Sequence, residues 1–330
     1  MITNKVILST GEIVDSSQLK LGDLLLGPNG NFSTVSNIEI VEDEIFQIET
    51  KMGSPFYVNE KNVLRNKQYP TIEELKIGNL DKAKLDEMKI TRSEFVCFDN
   101  SCNLAPLEID AYSFGVILMN SSISNGSVRL SLPKGSYMRE IIKTSLLPKL
   151  DMQITRDLNE KDANNNSVYV GNSVNEMHPR REKNRLIQIL DKLELSDVIV
   201  RNRFIPDCYK YGTPEDRAKL LAAIIDCSAC VNGSGFQITS ASKRLASDLV
   251  FLARSLGLNS TTRETVKAGK AYQLVNFGGD MKKIPLHNKN NNVGKDIISR
   301  PFEYKPIGAH EFVQITATGN YLLQDFTIIR

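Results

Sequence analysis

One pattern occurs twice in this chain, and it limits the fold more than any other feature. "EIDAYSFGVILMNSSISNGSVRLSLPKGSYMREIIKTSLLPKLDM" reads as an apolar helix, a Ser/Asn/Gly turn, an alternating strand and an amphipathic helix. "PEDRAKLLAAIIDCSACVNGSGFQITSASKRLASDLVFLARSLGL" repeats that order at nearly the same lengths, about 108 residues later, and ends its second helix on Gly257. Two such copies point to a pseudo-dimeric domain with an internal two-fold.

The flanks read differently. Residues 1–66 are strand-like, with alternation in "KVILSTGEIVD" and a Pro-Asn-Gly turn in "LKLGDLLLGPNGNFSTVSNIEI". "TIEELKIGNLDKAKLDEMKIT" is charged and helical in pattern, starting near Pro70 and Thr71. After residue 283 strand pattern returns, and "HEFVQITATGNYLLQDFTIIR" reads as two strands around Thr-Gly-Asn. The expected class is α+β. An all-β domain made of residues 1–68 and 284–330 is split by an α/β domain at 106–283, with a connecting helical segment at 69–105. The two repeats fall at about 106–170 and 185–283.

Composition narrows the function classes only modestly. The chain has 330 residues, net charge +2 and pI near 8.1, which neither requires nor opposes nucleic-acid binding; clustering decides that. No apolar run reaches membrane-span length, and "MITNKVILSTGE" lacks a signal-peptide core, so an intracellular protein, cytoplasmic or nuclear, is expected. Five cysteines, an odd number, fit a reducing compartment better than a disulfide framework.

The flanking and repeated stretches resemble an intein that carries a LAGLIDADG, or dodecapeptide, homing endonuclease. "VILSTGEIVDSSQLKLGDLLLGPNG" is similar to the opening block of a Hint (hedgehog/intein) domain, and "YLLQDFTIIR" to its closing strand. "LLAAIIDCSACVNGSGFQITSASKRLASDLVFLARSLGL" is similar to a second dodecapeptide with its strand and helix. Yeast and large-virus inteins and the yeast mating-type switching endonuclease are of this kind. The resemblance implies a Hint-like β domain split by a pseudo-two-fold endonuclease domain of two αββαββα-type repeats, acting as a monomer on double-stranded DNA. It implies paired helices that end in acids holding divalent metal, Mg²⁺, at the scissile phosphates. It also implies four-stranded saddles that read base edges in the major groove.

Matched position by position, the chain departs from that pattern. The motif acids fall on Asn120 in the first copy and Ser228 in the second, so both carboxylates are replaced. Asp226 is kept two residues earlier, about 200° around the helix, and is expected to face away from the tip. Asp110 stands about 15 Å up the first helix from its end. The splicing positions of the resemblance fall on Met1, on Asn59 and Asn62 of a Thr-x-x-His block, and on Arg330. Asn62 cannot shuttle a proton near neutral pH as a histidine does. Splicing is therefore expected to be lost, and cleavage with it.

The DNA-facing set expected from strand alternation and the resemblance is Gln237, Thr239, Ser242, Lys243 and Arg244, with Arg129, Ser131 and Lys134 as first-copy equivalents. Arg180 and Arg181 in "HPRREKNR" are candidate phosphate contacts. The resemblance also places Lys270 near a scissile phosphate. Cys227 and Cys230 have no second pair and read as packing residues at a helix end. Three functions are compatible with these residues: a site-specific binder of duplex DNA, an active Mg²⁺-dependent endonuclease, or a folded relic that binds nothing specifically.

Overall fold

The computed structural model describes residues 1–50, 53–68, 71–76, 89–99, 107–124, 126–158, 166–173, 183–196, 198–287 and 299–330. Both ends of the chain build one β unit. A small hairpin, β1 (Lys5–Ile7) and β2 (Ile13–Asp15), precedes β3 (Leu24–Leu26), β4 (Phe32–Thr50), β5 (Phe56–Val58), β6 (Val63–Gln68), β7 (Thr71–Lys76) and β8 (Lys89–Thr91). The end of the chain adds β17 (Ser299–Ala317), β18 (Tyr321–Leu322) and β19 (Ile328–Ile329). They join in the order β18–β19–β6–β8–β17–β4–β3, with β5 beside β4 and β7 beside β6. The β4–β17 ribbon is the spine, paired from Val35–Ala317 to Thr50–Phe302. Val6, Leu25, Ile48, Val58, Leu64, Ile90 and Ile329 close its core.

Strand pairing overrides one sequence expectation. Over 71–92 the pattern predicts a helix, yet Thr71–Lys76 pairs antiparallel with β6, from Gln68↔Thr71 to Val63↔Lys76. Lys89–Thr91 is likewise a strand, held by Pro301–Ser299 of β17. Residues 77–88 lie outside the described residues. Glu and Lys favour a helix locally, but a neighbouring strand edge with unpaired backbone groups outweighs that small preference.

Between the two ends lies a helix-and-sheet region. Its centre is a pair of helices, α1 (Ala111–Asn120) and, after α2 (Tyr137–Ile141), α3 (Arg185–Lys192) and α4 (Asp207–Lys210), the longer α5 (Pro214–Ser228). Both are apolar around nearly the whole circumference, Ala111–Leu118 and Leu220–Ile225 being buried throughout, as befits helices enclosed on all sides. Asp110 caps the start of α1 by accepting from Ser113 N–H at 2.9 Å, and Thr213 caps α5 by accepting from Asp216 N–H at 3.1 Å. Gly115 marks where they cross. A Cβ there would stand 2.7 Å from Ala223 Cβ and 3.0 Å from Leu220 O, so only glycine permits this approach.

A four-stranded sheet accompanies each central helix. The first is β9 (Ser121–Ser124), β10 (Ser127–Ser131), β11 (Met152–Asp157) and β12 (Ser167–Asn172), in the order β11–β12–β10–β9. The second is β13 (Cys230–Asn232), β14 (Gly235–Ser240), β15 (Asn259–Lys267) and β16 (Lys270–Gly278), in the order β13–β14–β16–β15. Read from the first strand, the two orders are the same. In the second half α6 (Lys243–Ser255) links the two hairpins. In the first half α2 passes through a π-helical turn (Ile142–Leu146) into a short last turn (Leu147–Lys149). Pro148 lacks the N–H that a regular helix would use there, and the wider turn accommodates its ring.

The second half is bolted to the β unit. Arg217 of α5 is fully buried and donates to Gly212 O at 3.0 Å, to Ser255 O at 3.2 Å, to Ser255 Oγ and to Val96 O. Its guanidinium lies 4.7 Å from the Phe98 ring centroid, and burial pulls its pKa down to about 10, so it stays charged at neutral pH. Beside it Gly257, at φ +76°, ends α6 where a Cβ would meet Glu94 O at 2.0 Å. Arg92 and Asp325 pair at 2.7 Å in the same seam, both buried.

Candidate nucleic-acid interface

Alternation along the strands sorts the side chains of each sheet. In the first, Val128, Leu130, Val168 and Val170 enter the core under the helices. The opposite face carries Ser127, Arg129 and Ser131 on β10, Ser122 opposite Arg129, and Tyr169 opposite Arg129 on the other side. A bulge between Ile154 and Arg156 turns Arg156 to the same face, opposite Tyr169, with its guanidinium 5.9 Å from that ring. The one acid of β11, Asp157, falls on the helix side, where it pairs with Arg139.

The second sheet repeats the sorting. Phe236, Ile238, Val275 and Phe277 are buried in the core. The opposite face carries Gln237 and Thr239 on β14, Tyr272, Leu274 and Asn276 on β16, and Thr261, Arg263, Thr265 and Lys267 on β15. Lys270 pairs with Lys267 on that face. Asn276 Oδ1 accepts from Gln237 Nε2 at 2.7 Å and from Asn232 Nδ2 at 3.2 Å, a polar chain across three strands. Glu264 has the other parity and pairs with Lys243 at 3.0 Å. Among the described residues, then, both outer faces hold cations and neutral polar groups while the sheets' carboxylates lie on the reverse side.

The two helices end where their sheets begin. Ser121 N–H donates back to Ile117 O, and Ala229 N–H to Ile225 O, the two ends being capped alike. Gly115 and Ala223, Ile117 and Ile225, and Asn120 and Ser228 are three pairs with the same spacing of 108 positions. Asn120 Nδ2 donates to Val116 O at 3.1 Å and to Cys227 Sγ at 2.9 Å, so the two ends touch. Ser228 is exposed, and Cys227 Sγ lies 3.1 Å from Met138 Sδ.

Asp226 is engaged elsewhere. It is buried, and its Oδ2 accepts from Tyr112 Oη at 2.9 Å and from His287 N–H at 3.0 Å. Burial, then the charge of Asp226, pushes the Tyr112 hydroxyl far above its ordinary range, so the tyrosine remains a donor. The helical geometry that turns residue 226 away from residue 228 holds in the structure. A hard divalent ion such as Mg²⁺ requires several oxygens, with carboxylates to balance its charge. The helix ends present an amide engaged as a donor, a hydroxyl and two sulfurs, and no group of His, Cys, Asp or Glu among the described residues is arranged for a metal. The residues at the tips do not fit that ion.

Several expected contacts land away from the outer faces. Ser242 is fully buried; its hydroxyl donates to Arg203 O at 2.6 Å and caps α6 by accepting from Leu245 N–H at 3.1 Å. Lys243 and Arg244 belong to the first turn of α6, the latter with its guanidinium 3.8 Å from the Phe204 ring centroid. The sequence pattern extends the strand through residue 244, whereas the chain turns at Ser240, whose hydroxyl donates to Ser242 O. Lys134 lies in the turn before α2 and is exposed. Lys270 stands at the β15–β16 turn, six residues along β16 from Asn276, about 20 Å at strand rise. Arg180 and Arg181 lie outside the described residues. Gln237, Thr239, Arg129 and Ser131 do share the outer faces. Arg156, Arg263 and Lys267 join them unforeseen; alternation in "STTRETVK" would have placed the last two, but the bulge hides Arg156.

The splicing-motif positions gather at one end of the β unit. Asn59 is buried; its amide N–H donates to Asn62 Oδ1 at 3.1 Å, and its Nδ2 reaches Gln314 Oε1 at 3.1 Å and Asp43 Oδ2 at 3.2 Å. Val63 and Arg330 exchange backbone hydrogen bonds at 2.9 and 3.0 Å, and the Met1 amino group lies 4.0 Å from Glu311.

The chain forms a helix-paired, two-sheet α/β module built into a β unit. Residues 215–283, from α5 through β16, match the family model of a LAGLIDADG-like domain. No curated protein matches the chain. Among solved structures, mesophilic variants of the homing endonuclease I-DmoI align over 52% of this chain and 89% of theirs, at 11% identity and TM-score 0.33. I-DmoI in complex with DNA and Mn aligns over 53% and 91%, at 12% identity and TM-score 0.32. No helix among the described residues is long and apolar enough to cross a membrane.

Proposed function

We propose that this protein is an intein-derived, LAGLIDADG-type module that binds double-stranded DNA at a specific site without cutting it. The observation that carries the reading is the sorting of charge. Arg129, Arg156, Arg263, Lys267 and Lys270 share the outer faces with Ser, Thr, Asn and Gln, while Asp157 and Glu264 are turned to the reverse. Such faces attract phosphates and offer amides and hydroxyls to base edges. Matching strand orders and the constant spacing of 108 positions support an internal pseudo-two-fold, and so a monomer on an asymmetric site.

A sheet closed by both ends of the chain supports a split Hint-like domain, with boundaries near 68 and 284. The Asn59–Asn62 turn beside the last strand supports its descent from a splicing centre, and an asparagine at 62 supports the loss of splicing. The module folds without its acids because the helix crossing and the sheets do not use them.

A salt titration of duplex binding tests the reading. Affinity should fall steeply and log-linearly with salt, and selection from random duplexes should return one reproducible sequence. A flat salt response rejects DNA binding; a selection that converges on nothing leaves a relic. Duplex nicking with Mg²⁺ or Mn²⁺ above background would restore the enzyme, and its abolition in Asp226→Ala would make Asp226 the substitute acid.

A further inference from the structure

The end of α1 carries a cation of its own. Arg203, in the segment that joins the two halves, donates from Nη1 to Leu118 O at 2.6 Å and Met119 O at 3.3 Å, and from Nη2 to Ser121 O. These carbonyls flank Asn120 on both sides. They form the negative end of the helix dipole, which explains why a guanidinium settles there. Ser242 Oγ, donating to Arg203 O at 2.6 Å, fixes the backbone that delivers it.

Three of the five guanidinium N–H groups are spent on those carbonyls, leaving Nε–H and one Nη2–H. The side chain is half-buried, and no carboxylate pairs with it among the described residues. A fixed positive charge therefore stands at the end of α1, lining a pocket with Ile117, Leu118, Ser121, Ser122, Ile123 and Leu190. Neighbouring Ser121 and Ser122 begin the first sheet, and Ser122 lies opposite Arg129 on its outer face.

We propose that Arg203 binds a DNA backbone phosphate at the edge of the first sheet, where β9 begins, bridging it to the end of α1. Its fixed charge neutralises the phosphate at a position whose donor set does not fit a divalent ion, so binding is independent of metal. This rests on the outer faces being the DNA surface. A planar guanidinium with two N–H groups to spare matches a phosphate better than an ammonium would.

The experiment is anisotropy of a labelled random-sequence duplex in EDTA across a salt series, for wild type, Arg203→Gln and Arg203→Lys, with melting curves for each. Gln can still donate to the α1 carbonyls but has lost the charge. The expected result is a slope of log K against log salt shallower by about 0.9 in the Gln variant, restored in the Lys variant. Replacing EDTA by Mg²⁺ at matched ionic strength should not raise wild-type affinity, because the ion only competes for the phosphates, a test that needs no variant. A Gln variant with the wild-type slope, or wild-type affinity that rises with Mg²⁺, overturns the role of Arg203. A flat wild-type slope instead overturns the DNA reading beneath it.

Discussion

The two halves of the helix-and-sheet region share strand order and helix-end capping, but not construction. In the second half α5 is fifteen residues long, and its added first turns carry Arg217 into the seam with the β unit. In the first half α1 has ten residues, its outer helix is interrupted before Pro148, and its end is held by Arg203 from the joining segment. The family model matches the second half alone. A half docked against another unit is constrained over its whole length. The other half needs only its crossing point, its caps and its sheet, and its sequence departs further from the pattern.

Breaking the docking should have the largest effect. Asp325 sits buried beside Arg92 and Arg254; burial would raise its pKa, but the Arg92 charge, the Thr327 hydroxyl and Arg254 outweigh that and lower it. Asp325→Asn leaves the cations uncompensated and should cost about 3–5 kcal/mol at neutral pH, read by chemical denaturation. A group with a depressed folded pKa stabilises fully above its ordinary value of 3.8 and loses that contribution as pH falls through the folded value. The gap between wild type and variant should therefore close below that pH. A gap that persists in acid would assign the loss to packing.

The crossing point gives a smaller, asymmetric pair. Gly115→Ala drives a methyl against Ala223 and Leu220 and should cost about 1–3 kcal/mol. Its counterpart, Ala223→Gly, only loosens α5 and should cost about 1 kcal/mol. Equal losses would mean that the helices separate more readily than their contact indicates. The smallest effects compare the outer faces. Arg129→Gln and Arg263→Gln should each flatten the salt dependence of DNA binding by about 0.9 while leaving melting almost unchanged. If only one does so, DNA lies on one saddle.

Much of the fold was legible in the sequence, and the misses share a cause. The doubled pattern anticipated both central helices, the resemblance anticipated a four-stranded sheet beside each, and helical rotation put Asp226 on the side opposite Ser228. Alternation placed Gln237, Thr239, Arg129 and Ser131 on the outer faces, but carried the strand too far, because nothing local announces that Ser240 and Ser242 close a helix cap. Helix-favouring residues at 71–76 gave the wrong element, because the β6 edge that captures them is built by tertiary pairing. Arg203 left no trace at all, since its partners are some 84 positions away in the chain.

By itself the sequence determined the doubled order of elements and the orientation of side chains within each helix and strand. Both stem from backbone periodicity, which acts over a few residues and is the same wherever the segment lies. The tertiary structure alone decided which cation meets the end of α1, which edge captures Thr71–Lys76 and how the second half docks. Those outcomes depend on surfaces brought together from distant parts of the chain, where burial and unsatisfied backbone groups outweigh the small local preferences that sequence spacing records.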